Sequence, residues 1–423
     1  IISLRRGIVS SLNVAAARVL MENVTTQAAA QYLVNLGVDS SRVSATGSGL
    51  ALGTTGITPI EMAAAYGAIG NMGEYLEPLS FTRVVDGEGR VVLDADEIRK
   101  SRQVFKQTTA YMLVDMLTDA VNTGTGTSAK IKGMTVAGKT GTNSDYGSAY
   151  FAGITPYYSA VVWVGHDSYE QKLVSGSTGG KVAAPLWHEF MEKIHTDLVD
   201  KPIIDASPVE LGLVKRTVCA VSGKLATEAC SFDANGLTPI TDWFDKSTAP
   251  TESCDMHVLT SVCMDSEQPA SPYCTNVQTK SILLVGTQSY FASFDAGLLQ
   301  KYLPNAVLTD ITAEQYNLYA STTTCPLHSY AGWGNGGGTG ISIGGNNASL
   351  IAAANALISD VEAYLSAAQN LSETDRNNLI SLSDTLAAYL NANLYQQAET
   401  YYERLRYTFD VIYAENPPVT AIP

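Results

Sequence analysis

Cysteine is absent from the first half of this 423-residue chain, and positive charge is scarce throughout. The first absence excludes a disulfide or a thiolate metal site there. The 26 lysines and arginines face 41 acidic residues, giving a net charge of −15 and a pI near 4.7. That balance argues against a nucleic-acid partner and against a basic membrane-surface anchor. There is no run of 18 or more apolar residues, so no membrane span is expected, and no signal peptide is visible. Only five histidines occur. His188, Glu189 and His195 approach a zinc H-E-x-x-H pattern, but position 192 is Glu, and a surface-helix reading of these residues is preferred. The chain opens on Ile1 and not on methionine, which points to sequence lying upstream. What is present, 45% hydrophobic and 16% charged residues, describes a globular protein of two or three domains.

Residues 8–22 turn helical after a polar start, a second helix follows Thr25–Thr26 to Gly37, and 47–57 read as a loop. Thr58-Pro59-Ile60-Glu61 is a capping box with proline at the first helical position. The small residues after it predict close helix packing. Residues 81–94 read as a hairpin turning at Asp86–Gly89, and 108–122 as a helix with Tyr111, Val114, Leu117 and Val121 on one face. Three strand-like runs, 134–140, 148–154 and 158–165, are joined by short turns, which suits an antiparallel meander. Residues 182–199 read as a closing helix. This order predicts an α+β fold.

The stretch Gly133–Thr142, G-M-T-V-A-G-K-T-G-T, admits two parses. Gly133–Thr140 matches the phosphate-binding G-x-x-x-x-G-K-T loop. Yet Met134–Ala137 suit a strand, and a turn follows Thr140 where a P-loop needs a helix. The other parse is a K-T-G box: Lys139 supplies positive field, Gly141 lets a substrate backbone lie against the strand, and threonine hydroxyls donate to a carboxylate. Ser11-Leu12-Asn13, 128 residues earlier, supplies an S-x-N partner whose hydroxyl can shuttle a proton and whose amide can hold a peptide group.

With S-L-N-V-A-A-A-R-V-L, T-P-I-E-M-A-A-A-Y-G-A-I-G-N-M-G-E-Y-L-E-P, A-G-K-T-G-T-N-S-D-Y-G-S-A-Y-F-A-G-I-T-P and the tail C-A-V-S-G-K-L-A-T-E-A-C, residues 1–265 resemble the transpeptidase domain of class A penicillin-binding proteins. The resemblance implies a penicillin-binding/β-lactamase-like fold, partial here, and acyl transfer from D-Ala-D-Ala between peptidoglycan stem peptides, with β-lactams trapping the nucleophile. It makes Ser11 and Lys139 catalytic. Asn13, Thr140, Gly141 and Thr142 become substrate-binding, with the Thr142 backbone N–H in the oxyanion hole. It implies no cofactor and no metal. The family's S-x-x-K motif occurs nowhere in the chain. The nucleophilic serine, a glycosyltransferase domain and a membrane anchor are therefore expected upstream, on the extracytoplasmic side of a bacterial membrane. The chain alone is expected to be inactive, and further wall-synthesis proteins are expected partners of the whole. A non-catalytic wall-binding module of the same fold is the alternative.

The expected division is 1–200 transpeptidase portion, 201–331 a cysteine-bearing extension, 332–347 a glycine-rich linker and 348–423 two or three helices. Residues 201–280 show little periodicity, and Ser281–Val285 looks β-like. Cys219 and Cys230 flank a short segment open to three readings: a disulfide, a zinc set completed by Cys254 and His257, or thiols. Tyr389, Tyr395, Tyr401, Tyr402, Tyr407, Phe409 and Tyr413 read as bundle core before a glycan-binding face.

Overall fold

A computed structural model describes residues 2–286 with a few short exceptions, scattered positions between 301 and 327, and residues 347–368, 371–391 and 395–415. Contacts gather into two units, 1–226 with 239–254 and 227–238 with 255–423.

The first unit begins with α1 (Leu4–Val9), α2 (Asn13–Val19), α3 (Thr26–Asn35), α4 (Gly49–Leu52) and α5 (Pro59–Gly70). The single helix expected over 8–22 is divided. Ser11 takes a φ of 54°, outside the helical region, so α1 closes before it and α2 opens at Asn13. Part of the expected loop 47–57 is helical, as α4. The capping box forms as read: the Thr58 hydroxyl accepts from the Glu61 N–H while Glu61 accepts from the Thr58 N–H at 2.8 Å.

Strands β1 (Glu74–Leu76), β2 (Arg83–Val85), β3 (Val91–Asp94) and β4 (Ser101–Gln103) form two small antiparallel pairs, β1 with β4 and β2 with β3; helix α6 (Ala95–Ile98) follows β3. Helix α7 (Gln107–Asn122) buries Val114, Leu117 and Val121. The expected meander is present as β5 (Ala137–Thr142), β6 (Ser148–Ile154) and β7 (Ser159–Gly165), antiparallel in the order 5-6-7. Helix α8 (Ala184–Ile194) covers one face, its Trp187 fully buried with the ring 5.1 Å edge-on from Phe151. The other side rests on α7 through Val114, Leu117, Ala137 and Ile154. The small-residue face of α5 meets β7, where the Ser159 hydroxyl donates to the Ala63 carbonyl at 2.6 Å.

His195 corrects the surface reading of the closing helix. It is 4% exposed, with Nε2 2.8 Å from the Thr155 hydroxyl and Nδ1 2.6 Å from the Met191 carbonyl, so it seals the end of α8. His188 and Glu192 form an ordinary one-turn pair on the same helix.

Residues 201–280 are more regular than their sequence suggests. Strands β8 (Leu213–Val218) and β9 (Ile240–Asp245) pair antiparallel in the first unit. Their apolar-polar alternation is hidden because β8 buries only its two ends and carries Lys215, Arg216 and Thr217 between them. In the second unit α9 (Glu228–Ser231) precedes β10 (His257–Cys263), β11 (Val277–Val285) and β12 (Ala306–Leu308), with β10–β11 antiparallel and β11–β12 parallel. Three helices complete it: α10 (Asn347–Ala367), α11 (Glu373–Asn391) and α12 (Tyr395–Glu415). Residues 332–346 of the expected linker lie outside the described residues; Asn347 opens α10.

Leu350, Ala354, Leu357, Val361 and Tyr364 of α10 recur at three- and four-residue intervals and bury against Leu379, Leu382 and Leu386 of α11 and Leu405 of α12. By length and composition, Leu350–Ala367 could cross a membrane, with mean hydropathy 1.2, although no span was expected. Asp360 and Glu362 interrupt its apolar run. Tyr401 and Tyr402 are buried, while Tyr389 and Phe409 pack against this core. The side chains of Tyr395 and Tyr407 lie outside the described residues.

Candidate active site

Strand β5 is continuous from Ala137 to Thr142 and every residue of it pairs with β6. The strand begins at Ala137 and not at the expected 134, with Gly138–Thr140 paired in the sheet, the Thr135 N–H donating to Asp200 at 2.7 Å and a turn following at 143–147, an arrangement that fits the K-T-G parse and not a phosphate-wrapping loop. Asp145 sits exposed in that turn.

Lys139 and Thr140 are consecutive on β5, and both side chains reach toward the end of α1. The Lys139 Nζ donates to Ser11 Oγ at 2.7 Å and to the Thr140 carbonyl at 2.9 Å. Thr140 Oγ1 lies 2.6 Å from Thr125 Oγ1, and Thr142 Oγ1 accepts from the Gly179 N–H at 3.0 Å. Gly141 stands opposite Tyr150 of β6. Lys139 is half-buried, and desolvation pushes its ammonium down to about 8 from an ordinary 10.5. A lysine that titrates near neutrality can exchange a proton with a neighbouring hydroxyl, which a surface lysine does poorly.

Ser11 reaches this lysine because of its backbone. A non-glycine residue at positive φ is held at a cost of about 1–3 kcal/mol and persists only where its surroundings enforce it. The Ser11 N–H donates to the Ile8 carbonyl and the Leu12 N–H to the Gly7 carbonyl, which fixes the corner between α1 and α2. Asn13, two residues on, is exposed at the start of α2. The structure therefore joins Ser11 directly to Lys139 and places Asn13 at the same corner.

Several positioning residues were not singled out in the sequence. The Arg5 guanidinium on α1 pairs with Asp115 and Asp119 of α7, each at 2.5 Å, and with Asp242 of β9, Nε to Oδ2 being 2.9 Å. Hydrogen bonds to Asp242 first, and then to the two α7 carboxylates, raise its already high pKa against burial. At the other end of α1, the Thr125 N–H donates to the Val9 carbonyl at 3.3 Å. Gly124 permits that approach, since a Cβ there would lie 2.3 Å from the same carbonyl. Thr125 thus links the end of α1 to Thr140 on β5. Arg5 stands beside Arg6 in a six-residue helix and its partners lie more than 100 residues away, so no local pattern exposes it.

Two parts of the chain match known protein domains. Residues 1–192 match the model of the penicillin binding protein transpeptidase domain, and residues 209–259 match that of the penicillin-binding protein 1A C-terminal domain. Penicillin-binding protein 1A of Clostridium botulinum is 35% identical over 265 residues, covering 61% of this chain and 30% of that protein. The Clostridium acetobutylicum protein of that name is 37% identical over 208 residues, covering 48% of this chain and 24% of its own length. The crystal structure of penicillin-binding protein 1A from Haemophilus influenzae superposes with a TM-score of 0.50 at 23% identity, covering 60% of this chain and 41% of that one, a likeness of fold. The chain spans less than a third of the length of these curated relatives. The α+β fold read from the sequence is the fold of this family. Residues 1–192 are thus a penicillin-binding protein transpeptidase domain, followed over 209–259 by a penicillin-binding protein 1A C-terminal domain.

Proposed function

We propose that residues 1–200 supply the S-x-N and K-T-G half of a serine-type D,D-transpeptidase that cross-links peptidoglycan stem peptides and is acylated by β-lactams. The observation that carries this is the 2.7 Å hydrogen bond from Lys139 to Ser11, residues 128 positions apart that the fold brings together.

In this reading the nucleophilic serine belongs to an S-x-x-K segment of a longer parent protein. Its hydroxyl gives its proton to the lysine of that segment as the oxygen attacks the carbonyl carbon of the penultimate D-alanine; the peptide bond breaks, and terminal D-alanine leaves as the amine. Ser11 passes the departing nitrogen its proton and recovers one from Lys139, whose lowered pKa suits the exchange. An amine of a second stem peptide then attacks the ester, its proton passes back through Ser11 to Lys139, and the serine leaves with the proton held by the lysine of its own segment. Asn13 holds the stem peptide. The substrate strand lies along β5 at Gly141, and the Thr140 and Thr142 hydroxyls receive its carboxylate, with the Thr142 N–H at the oxyanion. The parent would work outside the cytoplasmic membrane, with a glycosyltransferase domain and wall-synthesis partners, and this chemistry needs no cofactor.

The test is the rate at which a fluorescent penicillin labels the parent. Ser11→Ala and Lys139→Met each lower that rate on the order of 100-fold or more if these groups move the proton. Unchanged labelling by both variants would show that they do not.

A further inference from the structure

Cys263, Cys274 and Cys325 come from three separate parts of the second unit, and their sulfurs lie within 4.8 Å of one another. Cys263 is the last residue of β10, set by its pairing with Val277. Cys274 lies in the segment before β11 and is half-buried; Cys325 comes from beyond β12, and it and Cys263 are fully buried. The loop after Cys263 is braced. The Met264 N–H donates to the Asn276 carbonyl at 2.9 Å, and the Asn276 amide donates to Asp265 at 2.8 Å. The Ser266 hydroxyl of this loop lies 3.0 Å from the Cys325 sulfur. Outer hydrogen-bonding partners of this kind support side chains that hold a metal.

We propose that Cys263, Cys274 and Cys325 form a three-sulfur site for a thiophilic divalent cation of the zinc class. Three soft donors converging on one point match the ligand preference of such ions, and three protein ligands leave a fourth position open. A disulfide would use two of the sulfurs and strand the third among buried groups, whereas a cation engages all three. Each ligating thiol gives its proton to solvent on binding, so no oxidant or reductant is required. The site lies outside the transpeptidase unit and has no part in the acyl transfer.

The test is a Zn²⁺ titration of the reduced, metal-stripped full chain, with bound metal counted and Cd²⁺ used to read the thiolate charge-transfer band. Wild type is expected to hold one more equivalent than Cys274→Ser, which alters a half-buried loop position and leaves the sheet intact. Cys325→Ser should lose the same equivalent, with the far-ultraviolet spectrum checking its fold. Equal stoichiometry in wild type and Cys274→Ser overturns the proposal. So does a peptide map of protein purified without reductant in which two of these three cysteines are cross-linked.

Discussion

Lys139→Met keeps the length and apolar stem of the side chain and removes its charge. The ammonium ordinarily titrates near 10.5, and burial brings it to about 8. That gap corresponds to about 3 kcal/mol held against the folded state at pH 7. The hydrogen bonds to Ser11 and the Thr140 carbonyl offset about 1–2 kcal/mol of it. Because the folded pKa lies below the unfolded one, the unfolded chain binds more protons between them. The penalty is therefore fully present below pH 8 and is relieved as pH rises toward 10.5. Methionine should make the first unit more stable by about 1–2 kcal/mol at pH 7. The variant should also lose the rise in stability that wild type shows above pH 8. Urea unfolding followed by the fluorescence of Trp163, Trp187 and Trp243, at pH 7 and again near 10, reads both effects. A variant less stable than wild type at pH 7, or a flat wild-type profile across that window, would refute the assignment of Lys139 as a lysine strained for chemistry.

Arg5→Ala leaves the carboxylates of Asp115, Asp119 and Asp242 facing one another with no cation between them. The expected loss, after allowing for partial exposure, is about 2–3 kcal/mol in thermal unfolding, and Arg5→Lys restores only part of it because a point charge cannot fork to three partners. Gly124→Ala drives a methyl group against the Val9 and Ala120 carbonyls. It should cost about 1–3 kcal/mol by overpacking and slow penicillin labelling of the parent by shifting α1, whereas a wild-type Tm would show that the close approach is not required.

The sequence carries the meander, the capping box and the terminal helices because each is written locally: strand-like runs separated by short turns after Lys139, a T-P-x-E cap at Thr58, and apolar positions at three- and four-residue intervals from Leu350 onward. The Ser11–Lys139 pairing is legible only as two motifs whose meeting had to be expected, since nothing local in either one encodes the other. The corner at Ser11 is not legible. Its neighbours have ordinary helix propensity, and the contacts that hold α1 on either side of the corner, Arg5 to α7 and Val9 to Thr125, come from more than 100 residues away. His195 misleads for a related reason: it sits among polar residues in sequence, yet Thr155 and the end of α8 enclose it. Strand β8 is concealed by three consecutive polar residues that solvate its middle.

In the proposed function this chain holds one half of an active site, and the nucleophile comes from an S-x-x-K segment of a longer parent. Intact-mass measurement after incubation with penicillin, on the longer parent and on residues 1–423 alone, tests it most directly. One covalent adduct is expected on the parent, mapped to the serine of an S-x-x-K motif, and none on residues 1–423. An adduct on residues 1–423 alone, at Ser11 or any other residue, would contradict it.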